Sequence, residues 1–134
     1  MSEPKTKIVA TGVGRRKSAT ASVRLISGTG TITVNGLDAS KFFPGVAAKV
    51  KYDQPFHLLS LSKYDASVKV AGGGNIGQLD ATVLGIARAL VKLKPEHKTP
   101  LRTAGLLTRD PRERQRRMVG TGGKARRQKQ SPKR

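Results

Sequence analysis

Apolar and polar residues alternate strictly from Ser18 to Leu25. Ala19, Ala21, Val23 and Leu25 fall on one side, and Ser18, Thr20, Ser22 and Arg24 on the other. Period-two alternation marks a half-buried strand, because successive side chains of extended backbone point to opposite faces. Ile8–Val13 reads as a strand before it, with Gly14-Arg15-Arg16-Lys17 as a basic turn between the two. Gly28-Thr29-Gly30 then turns the chain into a short β-rich run, Thr31–Val34, ended by the turn dipeptide Asn35-Gly36. Three strand signals in a row, joined by tight turns, predict an antiparallel meander. Ala66, Val68 and Val70 repeat the alternation further on, and that strand runs into Gly72-Gly73-Gly74.

Helical spacing occupies the gaps. Asp38 can cap a short helix through Phe43, which Pro44 stops. Val46–Asp53 reads as another brief helix closed by Pro55, while residues 56–62 fit neither period. The longest helix is expected at Ile76–Leu93, with Ile76, Leu79, Val83, Ala87 and Leu90 as its apolar stripe. Lys92 and Lys94 suit its negative C-terminal end before Pro95. Gly77, Ala81, Gly85 and Ala89 recur on it at intervals of four. Glycine inside a helix costs about 1 kcal/mol against alanine, so this row of small residues asks for close approach, either of a sheet or of an RNA backbone. A last short helix has Thr99 as N-cap, Pro100 at its first position and Gly105 as terminator.

Charge changes the picture. The chain of 134 residues carries 27 Lys and Arg against 8 acids, a formal net charge of +19. Residues 109–134 hold eleven of those cations, two acids, no aromatic, and only Met118 and Val119 as sizeable apolar side chains. Such a stretch buries too little apolar surface to offset the entropy of ordering it, so alone in water it is expected to be disordered. Fully extended it reaches about 80–90 Å, at roughly 3.3 Å per residue. A domain of the preceding length has a radius of gyration of only about 13 Å. The division expected is therefore a globular domain, 1–108, and a basic extended arm, 109–134. Cation density of this order points to nucleic acid; an anionic membrane would need an amphipathic helix or an anchor that the arm does not offer. Met1–Lys7 reads as too short and polar for a signal peptide. With no Cys and two His, disulfides and zinc fingers are excluded.

Gly72-Gly73-Gly74-Asn75-Ile76-Gly77 satisfies G-x-G-x-x-G between a strand and a helix. A dinucleotide fold needs a second parallel strand after that helix, and Lys94–Pro100 is not one. Gln78-Leu79 stands where a Walker loop needs Lys and Ser or Thr. The loop is expected to be a tight turn, or a cradle of N–H groups able to accept an RNA phosphate at Gly73 and Gly74. Asp38, Asp53, Asp65 and Asp80 are scattered singly, and His57 has no partner at triad or metal spacing. No catalytic residue, metal site or cofactor is therefore assigned. Arg15-Arg16-Lys17 is either a solvated turn or a phosphate-binding one. The repeated Arg of 109–117 favours bidentate phosphate contact, and scarce aromatics argue against a stacking platform for single strands. A DNA-compacting nucleoid protein is the rival reading on charge alone.

The stretch from Gly72 to Leu90 closely resembles the signature of small-subunit ribosomal protein nine, the S-nine family. Gly14–Ala21, Ile32–Gly36, Leu101–Asp110, Lys124–Arg127 and the terminal Lys133-Arg134 extend the resemblance in order and spacing over nearly the whole chain. It implies an α+β domain with a mixed β-sheet, helices packed on one face and a left-handed βαβ crossover. It also implies a non-enzymatic, structural role in the small ribosomal subunit, in the cytoplasm of a bacterium or in a plastid stroma. There the body would bind small-subunit rRNA in the head beside neighbouring head proteins, and the arm would reach the anticodon stem-loop of P-site tRNA. Lys133, Arg134 and Ser131 are the expected tRNA contacts. The expected rRNA contacts are Arg15, Arg16, Lys17, Gly73, Gly74, Gln78, Arg88, Arg109, Arg112, Arg114, Arg116, Arg117, Lys124, Arg126, Arg127 and Lys129. The family usually places an aromatic and then Ser before the final Lys-Arg, where this chain has Gln130-Ser131-Pro132.

Overall fold

A computed structural model describes residues 7–120. The chain runs β1 (Ile8–Arg16), β2 (Ala19–Ser27), β3 (Ile32–Val34), β4 (Leu37–Asp38), α1 (Ala39–Phe42), α2 (Val46–Leu58), β5 (Tyr64–Ala71) and α3 (Asn75–Leu93). A 3-10 turn, Pro95–His97, then leads into α4 (Lys98–Thr103). The fold is α+β, with one five-stranded sheet in the order β1-β2-β5-β3-β4.

The sheet is mixed. β2 pairs antiparallel with β1 on one side and with β5 on the other, while β3 runs parallel to β5 and antiparallel to β4. The meander expected from the first three strand signals is thus corrected at its third member, because β5 takes the place beside β2. Ala66, Val68 and Val70 of β5 stand opposite Leu25, Val23 and Ala21 of β2, and a β3 of three residues cannot supply a ladder of that length. The parallel β3–β5 pair is joined by a crossover that contains α1 and α2. Asn35, at φ +51°, adds to that ladder: its amide accepts from Val70 N (3.0 Å) and donates to Val70 O (3.2 Å).

The alternation in β2 holds residue by residue: Ala19, Ala21, Val23 and Leu25 are buried and Thr20, Ser22 and Arg24 exposed. Helices cover the buried face, and α3 lies across β1, β2 and β5. The row of small residues on α3 is the packing surface. A Cβ at Gly14 would collide with the Ala81 carbonyl, and one at Gly12 with the Gly85 carbonyl, while a Cβ at Gly85 would come within 2.7 Å of Val23 Cγ2. Sheet contact, not RNA approach, therefore explains the four-residue spacing. The stripe predicted for this helix needs one correction: Leu79, Ala87 and Leu90 are buried, but Ile76 is 73% exposed in the first turn.

Asp38 caps α1 by accepting from Ser40 N at 3.2 Å. α2 passes through Pro55 and ends at Leu58, where the sequence pattern predicted a stop before the proline. The ring is fully buried, and that burial offsets the helical N–H that proline lacks. α4 begins one residue before the predicted cap, on the preceding 3-10 turn, so Thr99 lies inside it. Gly105 closes it at φ +78°, donating to Arg102 O at 3.0 Å.

Candidate nucleic-acid interface

The predicted basic turn at residues 14–17 is a strand end and a tighter turn. Gly14, Arg15 and Arg16 belong to β1, and only Lys17 and Ser18 turn the chain, with Lys17 at φ +54°. Strand alternation then sends the two arginines in opposite directions. Arg15 is exposed on the outer face of the sheet, and no described residue pairs with it. Arg16 points inward, its side chain only 11% exposed.

Arg16 has three partners there. Nε lies 3.5 Å from Asp80 Oδ2 on α3, Nη2 lies 3.3 Å from Asp110 Oδ2, and Nη1 donates to the Arg112 carbonyl at 2.8 Å. Arg112 also grips Asp110: its Nε donates to both carboxylate oxygens at 3.0 and 2.9 Å, Nη2 lies at 2.7 Å, and its backbone N–H donates to Oδ1 at 3.0 Å. Hydrogen bonds from Arg112, with a smaller contribution from the Arg16 charge, lower the Asp110 carboxyl to a pKa of about 2. The same contacts raise Arg112 above the usual guanidinium value. One guanidinium thus fastens strand, helix and the start of the arm together. A cleft of about 290 Å³ beside it is lined by Arg16, Lys51, Asp80, Leu106 and Asp110, among others.

Two other expected contact residues have partners within the fold. Arg88 Nη1 donates to Val13 O at 2.8 Å and tethers α3 to the edge strand. Gln78 Nε2 donates to Gly72 O at 3.1 Å and closes the glycine loop. Gly72 and Gly73 are left-handed (φ +75° and +66°), a Cβ at Gly73 would sit 3.1 Å from Ala19, and Gly74 is the exposed N-cap of α3 without a side-chain cap. Arg109 lies 3.9 Å from Glu113, and its Nε is buried without a hydrogen-bond partner.

The remaining cations stand open. Lys17, Arg114, Arg116 and Arg117 are exposed, and none has a partner among the described residues. Lys17 and Ser18 share a cleft of about 310 Å³ with Glu113 and Arg114. The hairpin tip and the start of the arm, nearly a hundred residues apart in sequence, therefore meet at one cleft. Lys124, Arg126, Arg127, Lys129, Ser131, Lys133 and Arg134 lie outside the described residues. Two cations not singled out from sequence, Arg24 and Lys69, are also exposed and unpaired among the described residues. Their signal was already present, since both occupy polar positions of alternating strands. Among the described residues no group of three or more His, Asp or Glu gathers as a metal site, and no helix is long and apolar enough to cross a membrane.

A mixed sheet with helices on one side, a cationic hairpin end and the start of a basic segment fastened beside it define a small, strongly basic α+β protein. Comparison with known proteins is specific. The family model described as ribosomal protein S9/S16 matches residues 14–134. Similar proteins named small ribosomal subunit protein uS9 include those of Microcystis aeruginosa, 48% identical, and Gloeothece citriformis, 47% identical, each over 120 residues and 88% of both chains. That of Nostoc punctiforme is 48% identical over 113 residues, 81% of this chain and 80% of its own. The chain belongs to the ribosomal protein S9/S16 family, a structural and not an enzymatic one.

Proposed function

We propose that this constituent of the small ribosomal subunit binds subunit rRNA through the hairpin tip and the base of its arm, and that the arm continues to the P site. The observation that carries the first half is the convergence of Lys17 and Arg114 on one cleft, with Arg116 and Arg117 following Arg114 along the chain. Cations that outnumber the carboxylates beside them repel one another unless phosphates neutralise them. Arg16 and Arg88 serve this surface indirectly, by holding β1 against α3. Among the described residues Glu113 is the only acid of the cleft, and its nearest guanidinium, that of Arg109, is 3.9 Å away.

The second half rests on the sequence resemblance. Residues 1–108 act as the rRNA-binding body and residues 109–134 as the arm. Lys124, Arg126, Arg127 and Lys129 meet rRNA on the way, and Lys133, Arg134 and Ser131 meet the anticodon stem-loop of the P-site tRNA. The protein works within ribosomes of a bacterial cytoplasm or plastid stroma, beside other head proteins. Val46 and Val50, four apart on α2 and exposed, offer such a neighbour an apolar strip.

The test is deletion of Lys133 and Arg134 in reconstituted subunits. Co-sedimentation with the small subunit should persist, while P-site tRNA binding weakens and its log–log salt slope falls by about 1.4–1.8, two phosphates' worth. Unchanged tRNA affinity overturns the P-site assignment. A wild-type chain that does not travel with small subunits overturns the whole reading.

A further inference from the structure

The sheet is covered by helices on one side only, and among the described residues nothing lies over the other. That bare side is patterned. Arg24 of β2 stands directly opposite Ser67 of β5, Lys69 of β5 opposite Ser22 of β2, and Arg15 of β1 opposite Thr20 of β2. Each cation thus has a hydroxyl as its cross-strand neighbour, where a structural pairing would have placed a carboxylate. Arg15, Arg24 and Lys69 have no partner among the described residues. The one acid on this side of β5, Asp65, is occupied: its Oδ1 accepts from the backbone N–H of Thr29, Gly30 and Thr31 at 2.8–2.9 Å.

We propose that this open face is a second RNA-binding surface, seated on the backbone of a double-stranded rRNA segment across its minor groove. The proposal rests on the RNA-binding reading above and adds a surface distinct from the hairpin tip. Its chemistry selects the ligand. Arg24 and Lys69 are diagonal neighbours about 7–8 Å apart and take phosphates, while Ser22, Ser67 and Thr20 can donate to and accept from ribose 2′-hydroxyls. The wide, shallow minor groove of A-form RNA displays both groups, and duplex RNA is recognised through them more than through its bases. Among the described residues no aromatic is available on this face to stack an unpaired base. A protein partner fits poorly, because interface centres are depleted of charge and enriched in aromatics, and the centre of this face is Ser22, Arg24, Ser67 and Lys69.

The chain has no cysteine, so a single introduced thiol can carry a tethered hydroxyl-radical source. Ser67→Cys probes the open face and Lys17→Cys the hairpin tip, each in the full chain within reconstituted small subunits. The expected result from Ser67→Cys is cleavage of both strands of one rRNA helix, offset across its minor groove. Cleavage from Lys17→Cys with none from Ser67→Cys overturns the second surface and leaves the hairpin reading standing. That pattern turns the open face towards protein or solvent. No cleavage from either position removes the RNA reading of both. Cuts confined to unpaired nucleotides overturn the duplex assignment. Independently, Arg24→Gln with Lys69→Gln should lower the salt slope for a duplex RNA of about 16 base pairs by about 1.4–1.8. The wild type should bind that RNA more tightly than the DNA duplex of the same sequence. An unchanged slope, or equal affinity for RNA and DNA, counts against the proposal.

Discussion

On the inner side of the sheet Ala21, Val23 and Leu25 are fully buried, and one position along the same strand Ser22 and Arg24 stand in the open. The two sides share every backbone hydrogen bond, so what separates them is side-chain chemistry alone. Inside, the decisive residues are small: Gly12, Gly14, Gly85 and Ala81 let strand and helix backbones meet. Outside, the decisive residues are long cations with hydroxyls opposite. Mutations on the first side should therefore register as stability, and mutations on the second as RNA affinity.

The largest expected effect is inside. Gly14→Ala forces a methyl group against the Ala81 carbonyl, and with backbone on the receiving side it should cost about 3 kcal/mol, the upper end for overpacking. Urea unfolding of the full chain measures it. A loss under about 0.5 kcal/mol would mean that strand and helix are not in contact. Asp65→Ala comes next. It removes the acceptor of three backbone N–H groups at the β2–β3 turn and should cost about 1–2 kcal/mol in the same titration.

Acid provides the third test. The Asp110 carboxyl sits near 2 in the folded chain against 3.8 ordinarily. A lowered pKa means that its stabilising contribution is whole above about pH 4 and disappears as pH falls through about 2. Protection of the Arg112 amide, whose N–H donates to Asp110, should fall over that window and not above it once the pH dependence of intrinsic exchange is divided out. The smallest effect is outside: Arg24→Gln should change stability by less than about 0.5 kcal/mol. A larger loss would give Arg24 a role in folding and blur the division between the two sides.

Local patterns carried much of this architecture. The faces of β2, the Asp38 cap and the length of α3 all follow from spacing within a dozen residues. The partner of β2 does not, because β5 is reached only after two helices, and no local signal chooses it over the nearer β3. Pro55 was misplaced as a terminator because burial of its ring is a tertiary fact. The cationic surface was legible as charge, but its internal division was not. The partner of Arg16 on the arm lies 96 residues away and that of Arg88 lies 75 away. Within the Arg15-Arg16-Lys17 run, only the strand register tells which side chain faces inward.

The Arg16 clasp has a consequence for length. Because Asp110 and Arg112 are held to β1 and α3, Arg112 is the zero mark from which the arm's span is counted. At roughly 3.3 Å each, the residues 113–134 that follow it reach about 70 Å. A residue inserted between Gly105 and Asp110 would strain the clasp and leave the reach unchanged. One inserted beyond Arg112 would lengthen the reach and leave the clasp alone.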